Sequence, residues 1–386
     1  MVKKMIDVPL LMTPGPTQVR KNVRCSRAAK TTNPDIDSHF FKYYKKTCLE
    51  IAEFMNTTAQ VIILGGEGML ALDAACASLT EQGDRVLIIE NGIFGEGFYD
   101  MVKVYGAEPV YFKGNKKCGI SHEELRIFLE QDSDFKFATI VHCDTPSGVL
   151  NDIENICPLL KSYGIATVVD AVSSMVGEPL MTDKWEIDIC IGASQKGFSA
   201  PPGLSFLSIS ETAWKLMENR TTPIPSYYSN LLIWKNYYEN FWFPYTPPIS
   251  DIYGFRTALK NVLKEKEIWA RHAKIAKAVR KAVVKSGLSL YLEADYCNTV
   301  TGINVPEGLD GEALVQTIFK EHNILIGGNF GYLKGKVIRI GHMGENARLK
   351  DVAKTLKAIQ QTLEKEGVSL NIGMKKVFLT EVQKYS

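Results

Sequence analysis

The feature that most constrains this chain is a recurrence. Short, almost wholly apolar runs return along the first half: Val61–Leu64, Arg85–Glu90, Glu108–Phe112, Ala138–Cys143, Ala166–Val169, Ile187–Gly192 and Leu204–Ile209. Stretches with helical spacing lie between several of them. These run from about Met69 to Leu79, from the Asn91-Gly92-Ile93-Phe94-Gly95 turn to about Tyr105, and from Ile153 to Tyr163, with a further helix start at Ser121-His122-Glu123-Glu124. A serine with a glutamate three residues on is a capping pattern. A strand apolar on both faces must be covered on both faces, so the alternation predicts an α/β chain with a mostly parallel sheet. Such sheets bind ligands beyond the carboxyl ends of their strands. Glu67, Phe94, Thr145, Asp170 and Lys196 all fall at those ends.

The 386 residues suit two domains. Residues 1–20 read as an irregular arm, because Pro14 and Pro16 around Gly15 forbid helix. Residues 21–255 form the large domain and 256–386 a smaller α+β domain, with a long helical pattern over about 250–285 bridging them. In the small domain, strands are expected near 289–293, 299–305, 324–327 and 336–340, and helices over about 310–322 and 350–365. The tail carries an apolar patch, Val377-Phe378-Leu379, that suits a docked extension. Residues 221–250, rich in Tyr, Trp and Pro, read as a long loop, and loops of that length in compact domains are usually functional.

Hydrophobic residues make up 45% and charged residues 23%, ordinary for a soluble protein. A formal charge of +2 gives no pull towards nucleic acid or an anionic membrane as a main partner. No apolar run approaches the ~18–20 residues that span a bilayer. Met1–Pro9 has no stretch long enough for a secretory signal, and the eight cysteines form no C-x-x-C pair. A cytoplasmic protein with reduced thiols is the expectation.

Lys196 sits in Ala193-Ser194-Gln195-Lys196-Gly197, where small residues crowd its stem and an apolar strand delivers it. Either it snorkels to water, or it is desolvated and so a nucleophilic amine able to form a Schiff base with an aldehyde. Asp170 either caps the next segment or faces a pyridinium nitrogen and holds it protonated. Phe94 is either core or a ring-stacking aromatic. Thr145 is a turn residue or a hydrogen-bond donor to such a ring. Arg339, in Val337-Ile338-Arg339-Ile340-Gly341-His342-Met343-Gly344, is either half of a structural salt bridge or a carboxylate anchor. Strand, Gly65-Gly66-Glu67-Gly68 turn and helix start together make an anion-binding geometry.

These residues, with Thr13-Pro14-Gly15-Pro16, Ser147-Gly148-Val149, Val169–Ser174, Ser194-Gln195-Lys196, Pro201–Ser205 and Tyr245-Thr246-Pro247, resemble the class V (fold type I) pyridoxal-phosphate aminotransferases of the alanine–glyoxylate and serine–pyruvate group. The resemblance runs almost end to end. It implies a fold type I large domain with a seven-stranded type of sheet plus the smaller C-terminal domain. It also implies Lys196 as the Schiff-base lysine, Asp170 as the pyridinium partner, Phe94 as the stacking aromatic and Arg339, with Gly15, at the substrate carboxylate. Glu67, Gly68, Thr145 and Gln195 are implied at the cofactor. A homodimer with shared sites is implied too, in which the Thr246 loop reaches the neighbouring site.

Glu67 departs from that group, whose phosphate-binding turn usually carries a small hydroxyl residue. A carboxylate there competes with a phosphate dianion for the same amides, unless Glu67 turns away or pairs with Lys or Arg. A glutamate at this turn, with Gly97-Phe98, Asp144–Gly148 and Phe243–Pro247, is similar to the pyridoxamine–pyruvate aminotransferase branch, which binds unphosphorylated pyridoxal or pyridoxamine as substrate. That branch has a second arginine where this chain has Phe330. The leading expectation is therefore transfer of an amino group from pyridoxamine to a small 2-oxo acid such as pyruvate. The alternatives are an ordinary pyridoxal 5'-phosphate-dependent alanine/serine–glyoxylate or pyruvate enzyme and, remotely, a non-catalytic B6-vitamer-binding protein.

Overall fold

A computed structural model describes residues 8–384. Residues 1–7, the head of the expected arm and most of the segment inspected for an export signal, lie outside the described residues, as do 385–386.

The chain enters through a short strand, β1 (Leu10–Met12), and continues with β2 (Gln60–Leu64), β3 (Arg85–Glu90), β4 (Glu108–Lys113) and β5 (Phe137–Val141). The two-residue hairpin strands β6 (Cys143–Asp144) and β7 (Val149–Leu150) come next, then β8 (Ala166–Asp170), β9 (Ile189–Ala193) and β10 (Ser205–Ile209). Seven of these form one sheet in the order β2-β10-β9-β8-β5-β3-β4. Pairings from β9 through β8, β5 and β3 to β4 are parallel, while β10 runs antiparallel to both β9 and β2. Every residue of β5, β8, β9 and β10 is buried, as strands with helices on both faces require. Register sets Val141 beside Asp170 and Asp170 beside Ile191, so β5 and β8 end level and β9 runs two residues further, to Ala193.

The covering helices are held by their first turns. Ser121 Oγ accepts from Glu124 N at 3.2 Å and Asp152 Oδ1 from Asn155 N at 3.3 Å. Uncapped helix starts leave backbone N–H groups without partners, so each cap contributes ~1 kcal/mol.

After residue 285 come β11 (Val300–Asn304), β12 (Ile324–Ile326) and β13 (Val337–Gly341), with helices Gly311–His322, Leu349–Lys365 and Met374–Lys384. Their apolar faces share a second core with Ile275, Val279 and Val283 of the helix Ile268–Lys285. Val377 and Phe378 of the tail are buried in it, and Leu379 is exposed.

Three expectations need correction. The arm is not wholly irregular, since β1 pairs in parallel with β12, Leu10 opposite Ile324. The bridging pattern is two helices, Ile249–Leu263 and Ile268–Lys285. Residues 289–293 make only a single bridge, Leu290 to Ile303. The aromatic loop does pack, with the ring of Phe41 stacked on Phe241 and Phe243 at 4.1 and 4.2 Å. No helix among the described residues is long and apolar enough to cross a membrane.

Candidate active site

Beyond the ends of β8 and β9 lies a cavity of about 330 Å³, within the usual range for small-molecule sites. Gly15, Glu67, Phe94, Thr145, Asp170 and Lys196 are among its walls. A larger cleft, about 620 Å³, lies around Arg20, Arg271 and Arg348. There each of those arginines is already paired with Glu345 or Glu265, so chemistry rather than volume picks out the smaller cavity.

Lys196 follows the end of β9 by three residues. A side chain at Gly197 would collide with the carbonyl of Met175 and the side chain of Val176, so the glycine lets the turn close against that segment. The lysine is half-buried. Its Nζ donates to the carbonyl of Pro14 at 2.6 Å. Burial, then the positive charge of Arg339, pull its pKa down to about 8 from the ordinary 10.5, with Asp170 opposing. Gly15 makes room for it. Its φ is +103°, and an added Cβ would stand 2.8 Å from Lys196 Cε and 2.9 Å from Nζ.

Asp170 is the last residue of β8 and is 5% exposed. Its Oδ1 accepts from Val172 N at 2.8 Å, the capping bond expected of it. Its Oδ2 has no hydrogen-bond partner among the described residues, and that leaves an oxygen for a ring N–H. Burial pushes its pKa up to about 6. Both expected uses of Asp170 are thus compatible, one oxygen for each.

Phe94 borders the cavity and begins the helix Ile93–Val104. Its backbone N donates to Asp144 Oδ1 at 2.9 Å. Asp144 Oδ2 accepts from Ser147 N and Oγ at 3.2 and 2.8 Å. Any side chain at Gly92 would overlap the Asp144 carboxyl, so that glycine admits the carboxylate to the turn. Burial raises the Asp144 pKa. Thr145 is buried, and its carbonyl accepts from Arg339 Nη1 at 3.2 Å. Arg339 Nε donates to Gly328 O at 2.8 Å. Arg339 makes no ion pair with a carboxylate among the described residues, so it is not half of a structural salt bridge. Burial lowers its pKa to about 10. Two weak carbonyl partners on a buried guanidinium leave Nη2 open to a carboxylate that can offer a charge.

Glu67 lines the cavity and, among the described residues, pairs with no cation. It caps the helix Gly68–Leu79, its Oε1 accepting from Met69 N and its Oε2 from Gln195 Nε2, both at 3.1 Å. Because a carboxylate only accepts, the Gln195 amide must present its N–H here, and its Oε1 is left buried without a partner. Gly68 lets this helix start sit close to Val172, where an added Cβ would lie 3.2 Å away. Thr246 is exposed and does not line this cavity.

Asp144, which organises Phe94 and Ser147, was not among the site residues expected from sequence, nor were the carbonyls of Pro14 and Gly328. An aspartate three residues past a buried strand, followed by Thr-Pro-Ser-Gly, was the available signal for the first. Backbone carbonyls carry no residue-type signal.

The residues fit a pyridoxal-type group. They supply an amine of lowered pKa, an aspartate with one free oxygen, an aromatic wall and a glycine hollow whose filling would displace the amine. Comparison with known proteins gives the same direction. The aminotransferase class-V family model matches residues 21–331. An uncharacterised aminotransferase of Methanocaldococcus jannaschii is 33% identical over 93% of both chains. The pyridoxamine–pyruvate transaminase of Mesorhizobium japonicum is 32% identical over 95% of this chain and 94% of its own. The crystal structure of pyridoxamine-pyruvate aminotransferase from Mesorhizobium loti superposes with a TM-score of 0.94 at 30% identity, covering 100% of this chain and 99% of that one. The chain belongs to the class-V aminotransferase family and is a transaminase that works with a pyridoxal-type cofactor.

Proposed function

We propose that this transaminase takes an unphosphorylated vitamer, pyridoxamine, as its amino donor and passes the amino group to a small 2-oxo acid such as pyruvate. The observation that carries the reading is Glu67. The helix start where a phosphate would bind is already filled by its carboxylate, which takes the amide of Met69 and is steadied by Gln195. A phosphate dianion there meets like charge and loses an amide. A hydroxymethyl group, which is neutral and can donate, instead suits an acceptor-rich wall. The similarity to a pyridoxamine–pyruvate transaminase supports the same choice.

When bound, the protonated pyridine ring supplies an electron sink for cleavage at the amine-bearing carbon. The chain does the rest. Asp170 Oδ2 holds the proton on the ring nitrogen. Phe94 covers the ring, and Thr145 borders it. With pyridoxamine bound, Lys196 would move the proton at the reacting carbon as base and then acid, and its amine would hold the vitamer covalently only in the aldehyde form, pyridoxal. With a pKa near 8, roughly one Lys196 in ten is neutral at pH 7, against roughly one in three thousand for an ordinary lysine. Arg339 exchanges its carbonyl partners for the carboxylate of the 2-oxo acid, and Gly15 keeps the space beside Lys196 open.

In this reading the large domain, 21–255, carries the vitamer and the small domain, 256–386, brings Arg339. Two separate apolar cores support two domains, with Ala258, Leu259, Val262 and Ile268 still packed in the first. Two copies assemble so that the exposed Thr246 loop of one completes the site of the other, in keeping with the exposed Tyr227, Tyr228, Phe241 and Trp242 on that loop. The protein acts in the cytoplasm, where its free cysteines stay reduced.

Borohydride trapping followed by mass spectrometry tests the choice of vitamer. The protein is offered equal pyridoxal and pyridoxal 5'-phosphate, and the adduct mass on Lys196 is read. The expected adduct lacks phosphate, and Glu67→Ser shifts the mixture towards the phosphate ester by about tenfold. A wild-type adduct carrying phosphate would instead make this an ordinary cofactor-bound alanine– or serine–glyoxylate type of enzyme.

A further inference from the structure

Phe330 is 41% exposed, unusual for a phenylalanine beside an active site. Its loop is fixed rather than loose. Phe330 N donates to Asn329 Oδ1 at 3.1 Å, and Asn329 Nδ2 donates to Pro146 O at 2.9 Å. The ring meets Phe94 edge to face, with centroids 5.9 Å apart at 75°. The Arg339 guanidinium carbon lies 5.7 Å from its centroid. Phe330 therefore adjoins both the group read as the carboxylate anchor and the aromatic that borders the cavity.

The unengaged charge near it is anionic. The carboxylates that Arg339 feels are Asp144 and Glu312. Glu312 is close behind the loop, its Oε1 accepting from Asn329 N at 3.4 Å. A side chain on Gly328 would run into it. Of the cations, Lys196 is held by Pro14 O. Lys116 lies over the Tyr332 ring at 4.3 Å and beside Glu96 at 3.8 Å. A substrate anchored on Arg339 thus has an apolar ring beside its remaining atoms, with anionic Glu312 beyond and, among the described residues, no cation there that is not already engaged.

We propose that Phe330 sets the acceptor specificity, admitting 2-oxo acids with one carboxylate and a small apolar side chain and refusing those with a second carboxylate. The proposal rests on the transaminase reading with Arg339 as the carboxylate anchor. A buried charge without a partner is rejected far more strongly than a missing methylene, so the discrimination should be large.

The test compares kcat/KM for pyruvate, 2-oxobutanoate and oxaloacetate in wild type, Phe330→Leu and Phe330→Arg. Binding of butanoate and of succinate is read separately, as thermal shifts of the unreacted protein. The expected result is that 2-oxobutanoate exceeds oxaloacetate by at least about 100-fold in wild type and Phe330→Leu. Butanoate, and not succinate, stabilises both. Phe330→Arg narrows the ratio by at least about tenfold, through a gain with oxaloacetate. The leucine variant shows whether the loop tolerates replacement. Wild-type use of oxaloacetate within tenfold of 2-oxobutanoate, or an unchanged ratio in a folded Phe330→Arg, overturns the role of Phe330 alone. Turnover with no 2-oxo acid, together with no thermal shift from either carboxylate, overturns both this proposal and the anchor reading.

Discussion

Replacing Gly15 with alanine separates a backbone cost from a chemical one. The added Cβ would lie 2.8 Å from Lys196 Cε and 2.9 Å from Nζ, and closer still to Cδ. Real carbons do not approach so near, so the last three atoms of the lysine must move. The amine then gives up its 2.6 Å bond to Pro14 O. A hydrogen bond from a charged group is worth about 1.5–3 kcal/mol. The φ of +103° adds a strain of ~1–2 kcal/mol for any residue with a Cβ. Gly83 provides the control, since its φ is +83° but nothing lies within 4 Å of an added Cβ. Gly83→Ala should bear the backbone strain alone. Both variants should melt a few degrees below wild type by calorimetry. Only Gly15→Ala should also lose the rate of borohydride-trapped adduct formation on Lys196, by at least about tenfold. The loss reflects a misplaced amine rather than a weakened fold. Trapping in Gly15→Ala at the Gly83→Ala rate would refute the steric reasoning.

Three further outcomes follow from the same structure. Arg339 is the second cause, after burial, of the lowered Lys196 pKa; Arg339→Gln should therefore move the acid limb of the trapping-rate profile to higher pH while raising KM for the 2-oxo acid, and an unmoved limb would show that the charge is not felt. Asp170 has a folded pKa of about 6 against an ordinary 3.8, so the folded state binds the extra proton between those values. Its contribution to stability in the ligand-free protein is thus lost as pH rises from about 4 to 6, by up to about 3 kcal/mol. Urea unfolding should show wild type falling relative to Asp170→Asn across that window and running parallel above it. Far from the site, Arg256 is 5% exposed and holds Glu50 through Nε and Nη2 at 2.8 and 2.7 Å; Arg256→Ala strands that carboxylate and should lower stability by about 3 kcal/mol, read as a fall in melting temperature with kcat at 25 °C unchanged.

The central strands were legible because each is buried on both faces and so spells itself in a row of apolar residues. Val86–Ile89 and Ala166–Val169 need no other information. That Lys196, Asp170 and Phe94 would meet around one cavity was legible for a related reason: all three come just beyond the ends of such rows. What stayed hidden depends on partners distant in sequence. β1 is three residues long and finds its neighbour at Ile324–Ile326, so nothing local marks Leu10–Met12 as a strand. The antiparallel run of β10 is likewise a property of its pairing, not of Ser205–Ile209. The break at Lys264–Glu267 lies inside a pattern whose apolar spacing carries on through it. Glu67 could be flagged as a departure from sequence, but its two partners, one of them Gln195 over a hundred residues on, come only with the fold.

The arm has a consequence for the order in which this enzyme is made. Pro14, whose carbonyl receives the amine of Lys196, follows Met12 by two residues, and Met12 is fastened opposite Ile326. The seven-stranded sheet is complete once Ile209 has left the ribosome. Domains fold as units as they emerge. A growing chain can therefore place Lys196 at the end of its strand, with Thr17 of the arm already able to bond its carbonyl, more than a hundred residues before β12 exists to pair with β1. The Lys196 amine belongs to the first part of the molecule to form, and the strand that pins the head of the arm above it to the last.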